Sequence, residues 1–267
     1  MAADASGYST RPFLTIRRMY LDVLDAGRRK RMIHGLVEVD VTRAKWMIRQ
    51  SPQDISFTAY VMWAVAQAVI ADRTVHAYRQ GRRLVIFDDV DINTQIEVEE
   101  SGQKIVKSHL FRAVNTKSVA ELSAEMRRAQ RPDDSVGRQR YQGARAFATL
   151  PGFVRGFPWR IAMGNPFLFR RFGGTVGLSS LGMFAHGGWG IPIAPPTLMV
   201  TVGGITRKPR FVDGVLSNRE LLSLTLSFDH AVVDGAPAAR FASRLTELIE
   251  SAAGLDETGA HAGGQRP

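Results

Sequence analysis

Residues 57–70, FTAYVMWAVAQAVI, constrain this chain more than any other feature, because they are apolar almost without a break. Ser56 just before them has the side chain of a helix N-cap, so the pattern predicts a helix over 57–71. A helix that is apolar on every side must be buried on every side. It is too short to span a bilayer, which takes ~20 residues, and Thr58 and Gln67 interrupt it. The rest of the chain must wrap around it. With 267 residues, 45% of them hydrophobic, there is material for one large core. The expected domain covers 11–253. Residues 1–10 are small and polar, and GLDETGAHAGGQRP (254–267) is Gly-rich, so both ends are expected to be unpacked tails.

Around this helix the pattern alternates between α and β. Arg11 to Arg31 has loose helical spacing and stops at Gly27 and a basic cluster, and Ile33–Val41 alternates as a strand. Val75–Tyr78, Leu84–Phe87, Val90–Val98, Ile105–Ala113, Gly174–Ser180, Leu198–Ile205 and Leu221–Phe228 read as further strands. Ser118–Arg128 and Ala236–Ala253 read as helices. The expected architecture is an α/β fold of the α+β sandwich kind, a mixed sheet flanked by helices. Tyr141–Phe172 fits no element, being aromatic, basic and broken by Pro151, Pro158 and Pro166. It reads as an irregular excursion, either a lid or binding loop or an extension used for packing.

Composition narrows the chemistry. Cys is absent, which excludes disulfides, thiolate nucleophiles and thiolate-held metals. The net charge of +10 raises the question of nucleic acid. The basic residues, however, fall in short separate groups such as Arg28-Arg29-Lys30-Arg31, Arg82-Arg83, Arg127-Arg128, Arg170-Arg171 and Arg207-Lys208. No basic helix or aromatic-interleaved strand organises them, so no nucleic-acid partner is expected. A positive field suits a phosphorylated small molecule or an acidic protein equally well. MAADASGYSTRP carries no basic-then-apolar leader, which points to the cytoplasm. His76, His109, His186 and His261 have no companions at metal spacing, so no metal is expected, and His34 reads as structural.

The chemistry concentrates in LLSLTLSFDHAVVDGAPAARF (221–241). A strand delivers His230 to its end, with Asp234 four residues later, then Gly235 and a helix. Histidine is the side chain suited to proton transfer near neutral pH, and a strand end holds it rigid yet exposed. The plain alternative is a surface turn with a capping Asp.

The surrounding motifs bear on that choice. VEVDVT (37–42), the apolar run at 57–70, the following VHAY, and VDINTQIEVEESGQKIVKSHLFRAVNTKSVAELSAEM (90–126) occur in that order. GGTVGLSSLGMF (173–184), IPIAPPTLMVTVGG (191–204) and SFDHAVVDGAPAARF follow. In this order, from about Ile16 to Glu250, the chain resembles the catalytic domain of the dihydrolipoyl acyltransferases of 2-oxo acid dehydrogenase complexes, relatives of chloramphenicol acetyltransferase. The resemblance implies that fold and an acyl transfer between coenzyme A and a thiol or hydroxyl acceptor. It implies that His230 takes the thiol proton and that Ser179 donates a hydrogen bond to the tetrahedral oxyanion, with Ser180 and Gly182 beside the substrate. Asp234 would hold the His loop by pairing with Arg17 or Arg18, and Gly235 would permit the turn into the last helix. A homotrimer is implied, with His230 from one copy meeting Ser179 of the next.

Three departures from the family pattern stand out. No lipoyl or peripheral-subunit-binding domain is expected before residue 11, and a lipoyl or other acyl-carrier domain is expected in trans. Ala231 follows the His where dehydrogenase-complex members carry Arg, so the acceptor is left open. The 141–172 segment is longer than the family's link, and Phe147, Phe153, Phe157, Trp159, Phe167, Phe169 and Phe172 could line an acyl site, touch a membrane surface or a partner, or simply pack. The polar C-terminus offers no anchor for a cage, so a trimer without higher assembly is expected. Two other readings stay open: a catalytically inactive scaffold on the same fold, and a lipid-acyl enzyme working at a membrane surface.

Overall fold

In the computed structural model of the chain, the residues described are 8–10, 12–13, 17–100, 103–131, 148–181 and 187–255. Helix α1 (Arg17–Gly27) leads into β1 (Met32–Asp40), α2 (Thr42–Gln50) and α3 (Phe57–Ala71). A small hairpin pairs β2 (Tyr78–Gln80) with β3 (Arg83–Val85), and a longer one pairs β4 (Ile92–Glu100) with β5 (Gln103–Phe111). Three helices follow: α4 (Val119–Gln130), α5 (Gly152–Gly164) and α6 (Pro166–Gly173). The chain then forms β6 (Val176–Ser180), β7 (Leu198–Val212), β8 (Val215–Asp229) and α7 (Gly235–Glu250). The main sheet has the order β1-β8-β7-β6-β4-β5. Strand β6 runs parallel to both its neighbours, and the other pairs are antiparallel.

The apolar run sits where its composition requires. Helix α3 packs between α4 and α7, and Ala59, Tyr60, Val61, Met62, Ala64 and Val65 are fully buried. Ser56 caps it by accepting from the Ala59 N–H at 3.4 Å, while its own N–H donates to Ser123 of α4. The Tyr60 hydroxyl donates to the carbonyls of Leu248 and Ile249, which ties α3 to the end of α7. Leu222, Leu224, Leu226 and Phe228 of β8 belong to the same core. Burial of each such side chain contributes ~1.5–3 kcal/mol. Among the described residues no helix is long and apolar enough to cross a membrane.

Four local expectations need correction. Val75–Tyr78 is not a strand: Asp72 accepts from the Thr74 N–H and opens a 3-10 turn over Arg73–His76, so pairing starts only at Tyr78. Leu84–Phe87 likewise shrinks to Arg83–Val85. Strands β7 and β8 run well past their apolar stretches as one long hairpin. Its polar part is held by cross-strand pairing and by Lys208 and Arg210 binding Glu38 of β1. The folded chain also extends past Ala253, because Leu255 is buried in the core and Gly254 (φ +77°) lies against the Trp63 ring, where an added Cβ would come within 2.6 Å.

The largest correction concerns Tyr141–Phe172. Residues 141–147 lie outside the described residues, but the remainder is helical rather than irregular. Asn165 accepts from the N–H groups of Phe167 and Leu168, and Pro166 occupies the first turn, a start signal for α6 that the proline count obscures. Helix α6 is then clamped to the sheet. Arg170 and Arg112 both donate to the buried Asp91, at 2.8 and 2.9 Å, and Arg112 also binds the carbonyls of Arg170 and Arg171 at the helix end. Burial alone would raise the Asp91 carboxyl, but donation from Arg170, the Ala113 N–H and Arg112 outweighs it and holds the group below its usual range.

Next to this clamp His76 is fully buried, its ring nitrogens bonded to Thr175 Oγ1 and the Phe87 carbonyl, each at 3.1 Å. Desolvation lowers its pKa to about 4. The unfolded chain takes up this proton below about pH 6.5 and the folded one does not. His76 therefore contributes stability that is present above pH 6.5 and lost as the pH falls toward 4, on the order of 3 kcal/mol in all. Thermal unfolding across that range should show a falling midpoint in the wild type and a flatter profile in His76→Gln.

Candidate active site

From Leu221 to Asp229, strand β8 is buried on both faces. Leu222, Leu224, Leu226 and Phe228 point into the core, while Ser223, Thr225, Ser227 and Asp229 form a buried polar face opposite. Such a strand carries a rigid end, and His230 is the residue that leaves it. Its N–H donates to the Arg31 carbonyl at 2.8 Å, and the Asp229 N–H donates to the Thr197 carbonyl at 2.9 Å. The Asp229 carbonyl accepts from both Val232 and Val233, which closes the turn beyond. The imidazole remains half exposed.

The Asp229 carboxylate fixes this turn from within. It accepts from Lys30 Nζ at 2.8 Å and from the Ala231 N–H at 3.1 Å, with its side chain only 6% exposed. Lys30 in turn lies 5.4 Å over the Tyr78 ring. Burial pushes the Tyr78 phenol up, so the ring beneath the cation stays neutral. Tyr78 packs against Phe169 of α6 at 5.1 Å and Phe87 at 6.3 Å. A continuous stack thus runs from α6 through Tyr78, Lys30 and Asp229 to the His230 turn.

Ser179 lies near the end of β6, partly buried. It stands opposite Thr201 of β7, which stands opposite Thr225 of β8, and cross-strand partners share a face. Ser179 is therefore two strands across and five residues back from His230. At ~3.3 Å per residue and ~4.8 Å per strand they are ~19 Å apart. The two groups do not meet within one chain. Ser180 follows on the opposite face of β6, and Gly182 lies outside the described residues.

The residues expected to support the histidine are arranged differently. Asp234 is 84% exposed and its ionic partner is His230 itself, with Oδ1 3.5 Å from Nδ1. Arg17 and Arg18 are exposed on the first turn of α1, and neither pairs with Asp234. They have no need to, because the Lys30–Asp229 pair already holds the loop. Asp234 occupies the N-cap position of α7 without capping a backbone N–H, so the plain capping reading is not met either. Gly235 is not required by its backbone: its φ is not positive and an added Cβ would meet nothing. His34 shares a 2.8 Å hydrogen bond with Ser227, as befits a structural residue. Among the described residues no cluster of three or more metal-ligating side chains forms.

Sequence reasoning passed over Lys30 as one member of a basic cluster and treated Asp229 only as a motif letter. The pairing of β1 with β8 brings them together, with Met32 opposite Asp229. The aromatic segment also divides. Phe169 packs in the interior, whereas Phe153, Phe157, Phe167 and Phe172 point outward, Phe167 at the edge of a shallow cleft of about 370 Å³ lined by Asp91, Arg112 and Arg170.

A fold of this layout occurs in solved acyltransferase cores. A dihydrolipoamide acetyltransferase from Listeria monocytogenes, described as probable, superposes with a TM-score of 0.66 at 17% identity, covering 98% of this chain and 100% of that one. A dihydrolipoamide acetyltransferase from Azotobacter vinelandii gives 0.68 at 18% identity, covering 96% and 98%. That structure was solved to probe a serine, a histidine and an asparagine in its catalytic mechanism, the three standing 52 and then four residues apart. The chain thus shares the fold of these two structures. Residues 171–255 match the family model of the 2-oxoacid dehydrogenases acyltransferase (catalytic domain). The acetyltransferase component of the Zymomonas mobilis pyruvate dehydrogenase complex is 28% identical over 204 residues, which covers 75% of this chain and 39% of that protein. The chain is similar to that catalytic domain in its C-terminal third and spans about two fifths of the length of this relative.

The Lys30–Asp229 pair makes a direct test of how the turn is held. Lys30→Met should destabilise the protein by roughly 3 kcal/mol in denaturant unfolding, because it strands a buried carboxylate. Adding Asp229→Asn should recover much of that loss.

Proposed function

We propose that this protein is an acyltransferase that moves an acyl group between coenzyme A and a thiol or hydroxyl acceptor, with His230 as general base and Ser179 as oxyanion donor. One observation carries the reading. The chain holds a serine, a histidine 51 residues later and an aspartate four beyond it, close to the spacing of the serine, histidine and asparagine of the Azotobacter enzyme, on the same fold. Here Asp234 replaces the amide.

The chemistry follows from the geometry. Nδ1 of His230 faces Asp234, which leaves Nε2 for the incoming thiol. As Nε2 takes the proton, the sulfur attacks the thioester carbonyl. The oxygen gains negative charge, which the Ser179 hydroxyl stabilises by donating a hydrogen bond. Collapse expels the other thiolate, and the imidazolium returns the proton to it. The nucleophile arrives with the substrate, so a chain without Cys can perform thiol chemistry. Because His230 and Ser179 are ~19 Å apart within one chain, the site is completed by a second copy, in a homotrimer. A lipoyl or other carrier domain supplied in trans is the proposed source of the acyl group or its acceptor.

The test is transfer from a series of acyl-CoA thioesters, short to long, to dihydrolipoamide. His230→Ala should lower kcat by ~10²–10⁴-fold and Ser179→Ala by ~10²–10³-fold, with small changes in KM. Turnover that survives in both variants would overturn the assignment.

A further inference from the structure

The net positive charge of this chain falls within one stretch of its sequence. Residues 135–212 contain ten Arg or Lys and no Asp or Glu, so this stretch accounts for the whole net charge of +10 and the rest of the chain is neutral. Helix α5 lies within it and is built inside out. Its protein-facing side carries a charge: Arg155 is buried and donates to Asp22 of α1 at 3.0 Å and to the Leu150 carbonyl at 2.7 Å. Its outward side carries Phe153, Phe157 and Ile161, spaced four residues apart on one stripe and 82%, 62% and 46% exposed. Arg160 is exposed on the same side. Helix α1 packs alongside α5 and presents Tyr20 and Leu21 to solvent, with Arg17 and Arg18 one turn earlier.

The Arg155–Asp22 pair fixes the rotation of α5, so the aromatic stripe cannot turn inward. An apolar stripe rimmed by arginine, with no carboxylate on its own helix, matches a surface that is anionic at the top and apolar just beneath. A two-fold contact of this face with itself would set Arg160 against Arg160.

We propose that α5 docks this protein onto anionic lipid surfaces, with Phe153, Phe157 and Ile161 entering the headgroup layer and Arg160 binding lipid phosphate. None of these residues belongs to the proposed acyl-transfer site, and the proposal stands apart from that reading. The experiment is co-sedimentation of the full chain with phosphatidylcholine vesicles with and without phosphatidylglycerol, run beside thermal unfolding and sedimentation velocity. Wild type should bind the phosphatidylglycerol vesicles, and pure phosphatidylcholine much more weakly. Phe153→Ser combined with Phe157→Ser should weaken binding at least about tenfold with unchanged unfolding midpoint and turnover of soluble acyl-CoA. Arg160→Glu, which leaves the apolar stripe intact, should weaken binding to anionic vesicles selectively. Absence of vesicle binding by wild type, or equal binding by the serine variant, would overturn the proposal. Loss of oligomer mass in the serine variant would overturn it too, and would mark the face as a contact between copies.

Discussion

Everything at the site depends on β8 being buried on both faces. Leu221 to Asp229 are each no more than 4% exposed, with leucines toward α3 and hydroxyls toward the other side. A strand packed in this way cannot slip by one residue, because a slip would exchange its apolar face for its polar one. That fixed register is what makes the position of His230 definite. Pairing with β1 then sets Arg31 and Lys30 against the strand end, and pairing with β7 sets Thr197 there.

The fold was readable where one local signal sufficed. Ser56 and the apolar run announced α3, the pattern over 118–128 marked α4, and alternation marked β1, β4 and β5. Reading failed where tertiary contacts decide. The Val75–Tyr78 stretch is β-rich in composition, but His76 finds its partners in Thr175 and Phe87, and a 3-10 turn results. The polar half of the β7–β8 hairpin has no core to bury, so hydrophobicity could not reveal it. Helix α6 was hidden among prolines even though Asn165-Pro166 is a helix start.

Around the candidate site, the support expected from sequence differs from the contacts that form. The expected ion pair joined Asp234 to Arg17 or Arg18. The observed pair joins Asp229 to Lys30, and Asp234 faces His230 instead. Lys30 carries no signal in sequence and Tyr78 only that of the VHAY motif, since their importance at the turn arises when α6 packs Phe169 under Tyr78. The segment that seemed added to the family's plan is thus part of the support of its histidine, while its neighbour α5 turns an aromatic face outward.

The central claim is that the site forms between copies of the chain, because the sheet keeps Ser179 and His230 far apart within one. Mixing chains carrying Ser179→Ala with chains carrying His230→Ala, after unfolding and joint refolding, tests it directly through acyl transfer. Each variant alone should retain no more than about 1% of wild-type activity. An equal mixture should recover about one quarter of wild-type activity, the fraction of interfaces that unite an intact histidine with an intact serine in a randomly assembled ring. A mixture that remains as inactive as its parts would place both groups in a single chain and contradict the account.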